Sequence, residues 1–112
     1  SVRVAIFIDG SNLYHSLEEN CKRYDVDFSE FATKLCNGRN LFRTYYYNVE
    51  RTPDRNPQAY QDQKKFFSAL YNTQYLEVRL GKSKVRGDIA IEKGVDIMLA
   101  TDILRLAWDR SV

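Results

Sequence analysis

The chain opens on an almost unbroken apolar run, in which Val2, Val4, Ala5, Ile6, Phe7 and Ile8 are interrupted only by Arg3. β-Branched residues without polar alternation fit a strand covered on both faces, as in a parallel sheet under helices. Asp9-Gly10-Ser11-Asn12 breaks the run. Ser11 or Asn12 then caps a helix predicted to reach about Lys22, with Leu13, Leu17 and Cys21 as its buried stripe. A second helix is predicted over Asp27 to Leu35, with Ser29 as N-cap and Phe28, Phe31, Ala32 and Leu35 at helical spacing. Asn37-Gly38 ends it, Gly38 supplying a positive φ. Leu41 to Val49, rich in Tyr, Phe and Val, predicts a second strand. Glu50 to Pro57 is a polar loop, and Pro57 fits the first turn of a long helix reaching about Asn72, with Phe66, Phe67, Leu70 and Tyr71 on its apolar face. Tyr75 to Leu80 predicts a third strand, Gly81 to Gly87 a basic turn, and Asp88 to Ile91 a segment that pairs back or runs beside it. Gly94 to Trp108 predicts a final helix with Leu99, Ala100, Ile103 and Ala107 on one face together with Asp96.

Strands alternating with helices argue for one α/β domain spanning residues 1–112, a parallel or mostly parallel sheet flanked by helices. In such sheets ligands bind beyond the carboxyl ends of the strands, and Asp9 stands at one of those ends. At 44% hydrophobic residues the chain can fill a real core, and no apolar run approaches the roughly 20 residues of a membrane span. The N-terminus lacks the three regions of a signal peptide, so a cytoplasmic location is expected, without a membrane partner. Cys21 and Cys36 form no CxxC pattern, and the single histidine, His15, cannot complete a zinc site with them at usual spacing. Both read as reduced thiols, with a disulfide as the alternative. A net charge of +2 says little about partners. Its distribution says more: Arg79, Lys82, Lys84 and Arg86 fall within eight residues, as a solvated surface or as a rim for phosphates.

Several phosphate chemistries are excluded. No GxGxxG follows the first strand and no GxxxxGK[ST] is present, so the dinucleotide fingerprint and the P-loop are both missing. A dehalogenase-type phosphotransferase needs a second Asp two residues after its nucleophile, where this chain has Ser11. Asp9 itself reads in two ways, as a carboxylate for a divalent cation or a proton, or as a cap for the next helix. Asn12 either orients Asp9 or caps the same helix. Glu92-Lys93-Gly94-Val95-Asp96 makes a second constellation, in which Gly94 permits a sharp helix entry and places Asp96 in the first turn, where the positive helix end favours a carboxylate. Asp102 follows six residues later, rotated about 120° at 3.6 residues per turn, and can instead pair with Arg105. Lys93 can neutralise a phosphate or stand in solvent.

Ile6-Phe7-Ile8-Asp9-Gly10-Ser11-Asn12-Leu13 resembles the opening motif of the NYN domains, in the LabA-like group of PIN-type nucleases, and Glu92 to Leu104 resembles that family's central motif. The two occur in the family's order, and the resemblance covers essentially the whole chain. It implies a PIN-like, Rossmann-like fold and Mg²⁺- or Mn²⁺-dependent hydrolysis of RNA, most often single-stranded. By motif matching, Asp9, Asp96 and Asp102 would be the metal-site carboxylates and Asn12 would support Asp9. Ser11, Lys93 and the basic turn residues Lys82, Lys84 and Arg86 would meet the nucleic acid. Tyr45, Tyr46 and Tyr47 offer rings to a base or fill the core.

The chain departs from the family pattern in one respect. A further strand and a Ser-Gly-Asp-x-Asp type motif are expected after Val112. Without them the sheet is expected to lack its last strand, which would lie beside the first. The metal site is then incomplete, the form as written could be inactive, and an open edge favours pairing of two copies. The contrasting reading is a non-catalytic RNA- or protein-binding module with a vestigial acidic cleft.

Overall fold

A computed structural model describes residues 2–16, 27–51, 53–54, 56–81, 88–110 and 112, with the side chains of 14–16 and 88–94 left out. The opening apolar run forms β1 (Arg3–Asp9), followed at once by α1 (Gly10–Ser16). Then come α2 (Phe28–Cys36), β2 (Asn40–Val49), α3 (Pro57–Tyr71), β3 (Leu76–Gly81) and α4 (Asp88–Trp108). The three strands form a parallel sheet in the order β1-β2-β3. This is the α/β architecture of a parallel sheet under helices, consistent with a PIN-like fold. Among the described residues β1 is an edge strand, and no helix is long and apolar enough to cross a membrane.

Successive side chains of a strand point to opposite faces, and here each face has its own core. On one face Ile6, Ile8 and Tyr46 pack with Val78 and Leu80 under α2 and α3, whose Phe28, Ala32, Cys36, Phe66, Phe67 and Leu70 are buried. Phe28, Tyr46, Phe66 and Phe67 meet there largely edge to face, the geometry that aromatic quadrupoles favour. On the other face Tyr45 and Tyr47 pack under α4 against Val95 and Leu106, with Ala5, Phe7, Met98 and Leu99 half-buried beside them. Phe7 stacks on Tyr45 at 5.2 Å between ring centroids. Ala5 and Phe7 share this face with Asp9, so alternation alone aims Asp9 to the α4 side.

Several details differ from the pattern-based expectations, among them that Asp9, not Ser11 or Asn12, caps α1 and that Phe31, Leu35 and Tyr71 are exposed. Asp27, not Ser29, caps α2, its carboxylate accepting the Glu30 amide at 3.1 Å. Asp88 to Ile91 belongs to α4 and not to a strand, so Gly94 lies inside the helix and does not open it. Asp96 is therefore two turns into α4, beyond the reach of the helix-end charge that would account for it structurally. Finally, the face of α4 toward the sheet carries Val95, Met98, Leu99, Asp102 and Leu106, while Ala100, Ile103 and Ala107 are exposed. The helix is apolar nearly all round, with Ile97, Leu104 and Trp108 also exposed, so periodicity did not single out the buried stripe. Pro57 does open α3, behind an Asn56 side chain that accepts the Ala59 amide at 3.0 Å. Gly38 takes a φ of 84°, and Asn37 before it is left-handed as well. Residues 17–26, with Leu17 and Cys21, lie outside the described residues, and Cys36 is a buried free thiol.

Candidate metal-binding cleft

The carboxyl ends of β1 and β2 and the middle of α4 enclose a small cleft of about 160 Å³, lined by Asp9, Ser11, Asn12, Asn48, Val49, Val95 and Asp96. Two elements far apart in sequence supply its acids. β1 ends on Asp9, and α1 starts without an intervening loop, so the chain turns directly over the strand end. The turn is held by Asp9 itself. Its Oδ1 accepts the Asn12 backbone amide at 3.3 Å and its Oδ2 accepts Asn12 Nδ2 at 2.9 Å. Asp9 is thus both a helix cap and a cleft carboxylate; the two readings of its sequence context are compatible. Gly10 is required at the next position. A Cβ there would fall on the Tyr46 ring and stand 2.5 Å from the Tyr47 carbonyl oxygen. The Tyr46 hydroxyl donates to the Gly10 carbonyl at 3.3 Å and accepts Asn48 Nδ2 at 3.2 Å, tying the start of α1 to β2.

Val95 carries α4 into the cleft. Its side chain lies against Gly81, where an added Cβ would stand 2.8 Å from Val95 Cγ2. Asp96 follows and is exposed at the cleft. Asn48 is a cleft residue that sequence reasoning passed over. The available signal was a carboxamide at the carboxyl end of an otherwise aromatic strand, beside the end that carries Asp9.

Asp102 lies elsewhere. It is 3% exposed, on the sheet side of α4. Its Oδ2 accepts the Tyr47 hydroxyl at 2.7 Å and Arg79 Nε at 3.1 Å, and its Oδ1 accepts Arg79 Nη2 at 3.3 Å. Arg105, the partner expected from spacing, stands at 3.6 Å and is more exposed. Among the described residues no three His, Cys, Asp or Glu side chains gather to hold one metal ion. The structure brings Asp9, Ser11, Asn12 and Asp96 together and sets Asp102 apart from them. Lys82, Lys84 and Arg86 lie outside the described residues, as do the side chains of Lys93 and His15. Arg79, at the start of the basic cluster, is committed to Asp102. Tyr45, Tyr46 and Tyr47 are all buried, because both faces of β2 are covered, so none offers a ring to a base.

The donor set fits a hard divalent cation. Two carboxylates from separate elements face a polar cleft, and Mg²⁺ is commonly held by one or two carboxylates while keeping several waters. Oxygen ligands of this kind suit Mg²⁺ and Mn²⁺ rather than softer ions.

Burial holds the Tyr47 phenol well above its ordinary value of 10.0, and its bond to Asp102 adds to the effect. The folded state therefore keeps a proton that the unfolded chain loses. This contribution to stability is intact below pH 10 and declines as pH rises above it, at up to about 1.4 kcal/mol per pH unit. Urea unfolding at successive pH values above 10 should give a shallower decline for Tyr47→Phe than for wild type; equal slopes would contradict it.

No curated protein and no solved structure matches the chain. The NYN domain matches residues 3–112, which takes in the described strands and helices and the residues lining the cleft. The chain belongs to the NYN-domain family, a family of PIN-like nucleases.

Proposed function

We propose that this protein is a Mg²⁺- or Mn²⁺-dependent ribonuclease that cuts single-stranded RNA at the Asp9–Asp96 cleft. The observation that carries the reading is the meeting of these two carboxylates, 87 positions apart (96 minus 9), beyond the carboxyl ends of a parallel sheet, in a chain of a nuclease family. Asp96 supports it further, since neither a helix end nor, among the described residues, an ion partner accounts for its place. A free thiol at Cys36 fits a reducing compartment and hence the cytoplasm.

Asp9 and Asp96 would hold the cation, directly or through water, and a bound cation would supply a more acidic water as nucleophile and positive charge against that of the phosphate. Asn12 donates to Asp9 and fixes its rotamer, so that the carboxylate does not reorient as substrate arrives. Ser11 at the cleft donates its hydroxyl to a phosphate oxygen. Lys93 stands one helical turn before Asp96 on α4, and with Lys82, Lys84 and Arg86 supplies charge to the RNA backbone.

The test is cleavage of an unstructured, end-labelled oligoribonucleotide with Mn²⁺, with EDTA, and after Mn²⁺ is restored. Cutting that follows the metal through all three conditions is expected. RNA binding without cutting in Mn²⁺ would overturn the nuclease reading in favour of a binding module with a vestigial cleft.

A further inference from the structure

The buried Asp102 has no part in the chemistry just described, yet among the described side chains of α4 it is the most highly bonded. Its carboxylate receives three hydrogen bonds from β2 and β3, through Tyr47 and Arg79. We propose that Asp102 is a positioning residue: it pins α4 to the sheet through Tyr47 and Arg79, thereby fixing where Asp96 stands in the cleft, and it is not a ligand of the cation. This rests on the reading of the Asp9–Asp96 cleft as a metal site.

Two observations carry the inference beyond the presence of an ion pair. First, hydrophobic burial gives α4 little rotational preference. Val95, Met98, Leu99 and Leu106 face the sheet, but Ile97, Ile103, Leu104 and Trp108 on the outer side are equally apolar. A helix that is apolar all round can turn about its axis at small cost in buried area. Directional bonds to a buried carboxylate cannot follow such a turn. Arg79 presents its donors in a planar fork, and Tyr47 approaches from the neighbouring strand, so together they select one rotation. Second, that rotation is what brings Asp96 to the cleft. Asp102 lies six residues on, about 120° round the helix, so the two carboxylates cannot face one site. When Asp102 faces the sheet, Val95 seats on Gly81 and Asp96 lies at the edge of the helix, toward the strand end that carries Asp9.

The competing assignment makes Asp102 a third ligand, and the two differ in sign at Arg79. If Asp102 ligates the cation, removing the competing guanidinium frees the carboxylate and strengthens Mn²⁺ binding. If Asp102 positions Asp96 through Arg79, the same change loosens α4 and weakens it. The experiment measures Mn²⁺ affinity calorimetrically and the ¹³C carboxyl shift of Asp96 by NMR without metal. It compares wild type, Arg79→Met, Asp102→Asn and the double variant.

Both single variants are expected to move the Asp96 resonance and to weaken Mn²⁺ binding about 10- to 100-fold, the usual cost of disturbing a residue that orients a ligand. The double variant is expected to be no weaker than the worse single one, because the two side chains act as one anchor. Unchanged or tighter Mn²⁺ binding in Arg79→Met, with loss in Asp102→Asn, would overturn the proposal in favour of ligation. If wild type takes up no Mn²⁺, the metal-site reading fails, and an Asp96 resonance unmoved in both single variants would separately overturn the anchor. Should either variant fail to fold, Tyr47→Phe, which removes one hydroxyl, serves in its place, with a smaller shift in the same direction expected and an unmoved Asp96 resonance counting against the proposal.

Discussion

Asp9→Asn is expected to lower metal-dependent RNA cleavage about 10³-fold, or about 4 kcal/mol of transition-state stabilisation. The fold should hold within about 0.5 kcal/mol of wild type. The two numbers separate the two roles of this side chain. As a cap, Asp9 accepts the Asn12 amide through Oδ1, and an asparagine oxygen does the same, Asn and Asp being comparable N-caps. As the ligand proposed above, it would supply negative charge that an amide lacks. Asp9→Ala should lose both functions and cost about 1 kcal/mol of stability in addition. Cleavage rates with Mn²⁺ beside urea midpoints check the pair. Full cleavage in Asp9→Asn would show that capping is all that Asp9 does.

Gly10→Ala is expected to cost about 3 kcal/mol, at the upper end for overpacking a filled site. The added methyl meets the Tyr46 ring and, at 2.5 Å, the Tyr47 carbonyl oxygen. The ring is fully buried among Phe28, Phe66 and Phe67, and the carbonyl belongs to the central strand, so neither yields cheaply. The strand-to-helix junction must then move, and the rotamer of Asp9 moves with it. Thermal or urea unfolding checks the stability. Mn²⁺ affinity should fall at temperatures where the variant is still folded. A midpoint equal to wild type would mean that the close approach of β1 and β2 under Gly10 is not as described.

β1 and β2 were legible in the sequence as compact apolar or aromatic runs, and β3 as the apolar and polar alternation of Leu76, Glu77, Val78, Arg79 and Leu80. The cleft was legible at Asp9, Asn12 and Asp96, since the motif residues fall at the strand end and on the last helix, where this architecture gathers ligands. What sequence did not reveal was orientation. α4 carries apolar residues on all sides, so the stripe built from Ala100, Ile103 and Ala107 looked as good as the one from Val95, Met98 and Leu106 that packs. Only the pairing of Asp102 with Arg79, 23 positions away, resolves it, and no local spacing announces that pair. The same pairing gives Asp102, an acidic residue on a largely apolar helix, a guanidinium partner. Gln63 was missed for a similar reason. It is buried in α3 and holds the chain after β2, donating to the Val49 carbonyl at 3.0 Å and accepting the Arg51 amide at 2.8 Å.

The central claim is that one divalent cation sits between Asp9 and Asp96. It is tested most directly by adding substoichiometric Mn²⁺ to isotopically labelled protein and following paramagnetic broadening of the backbone amides. The account predicts that Asp9, Ser11, Asn12, Asn48, Val49, Val95 and Asp96 broaden first. The groove at the other end of the sheet, around Cys36, Asn40 and Tyr75, should stay sharp, and Asp9→Asn and Asp96→Asn should each abolish the effect. Broadening centred on Asp102, or none at the cleft, would contradict it.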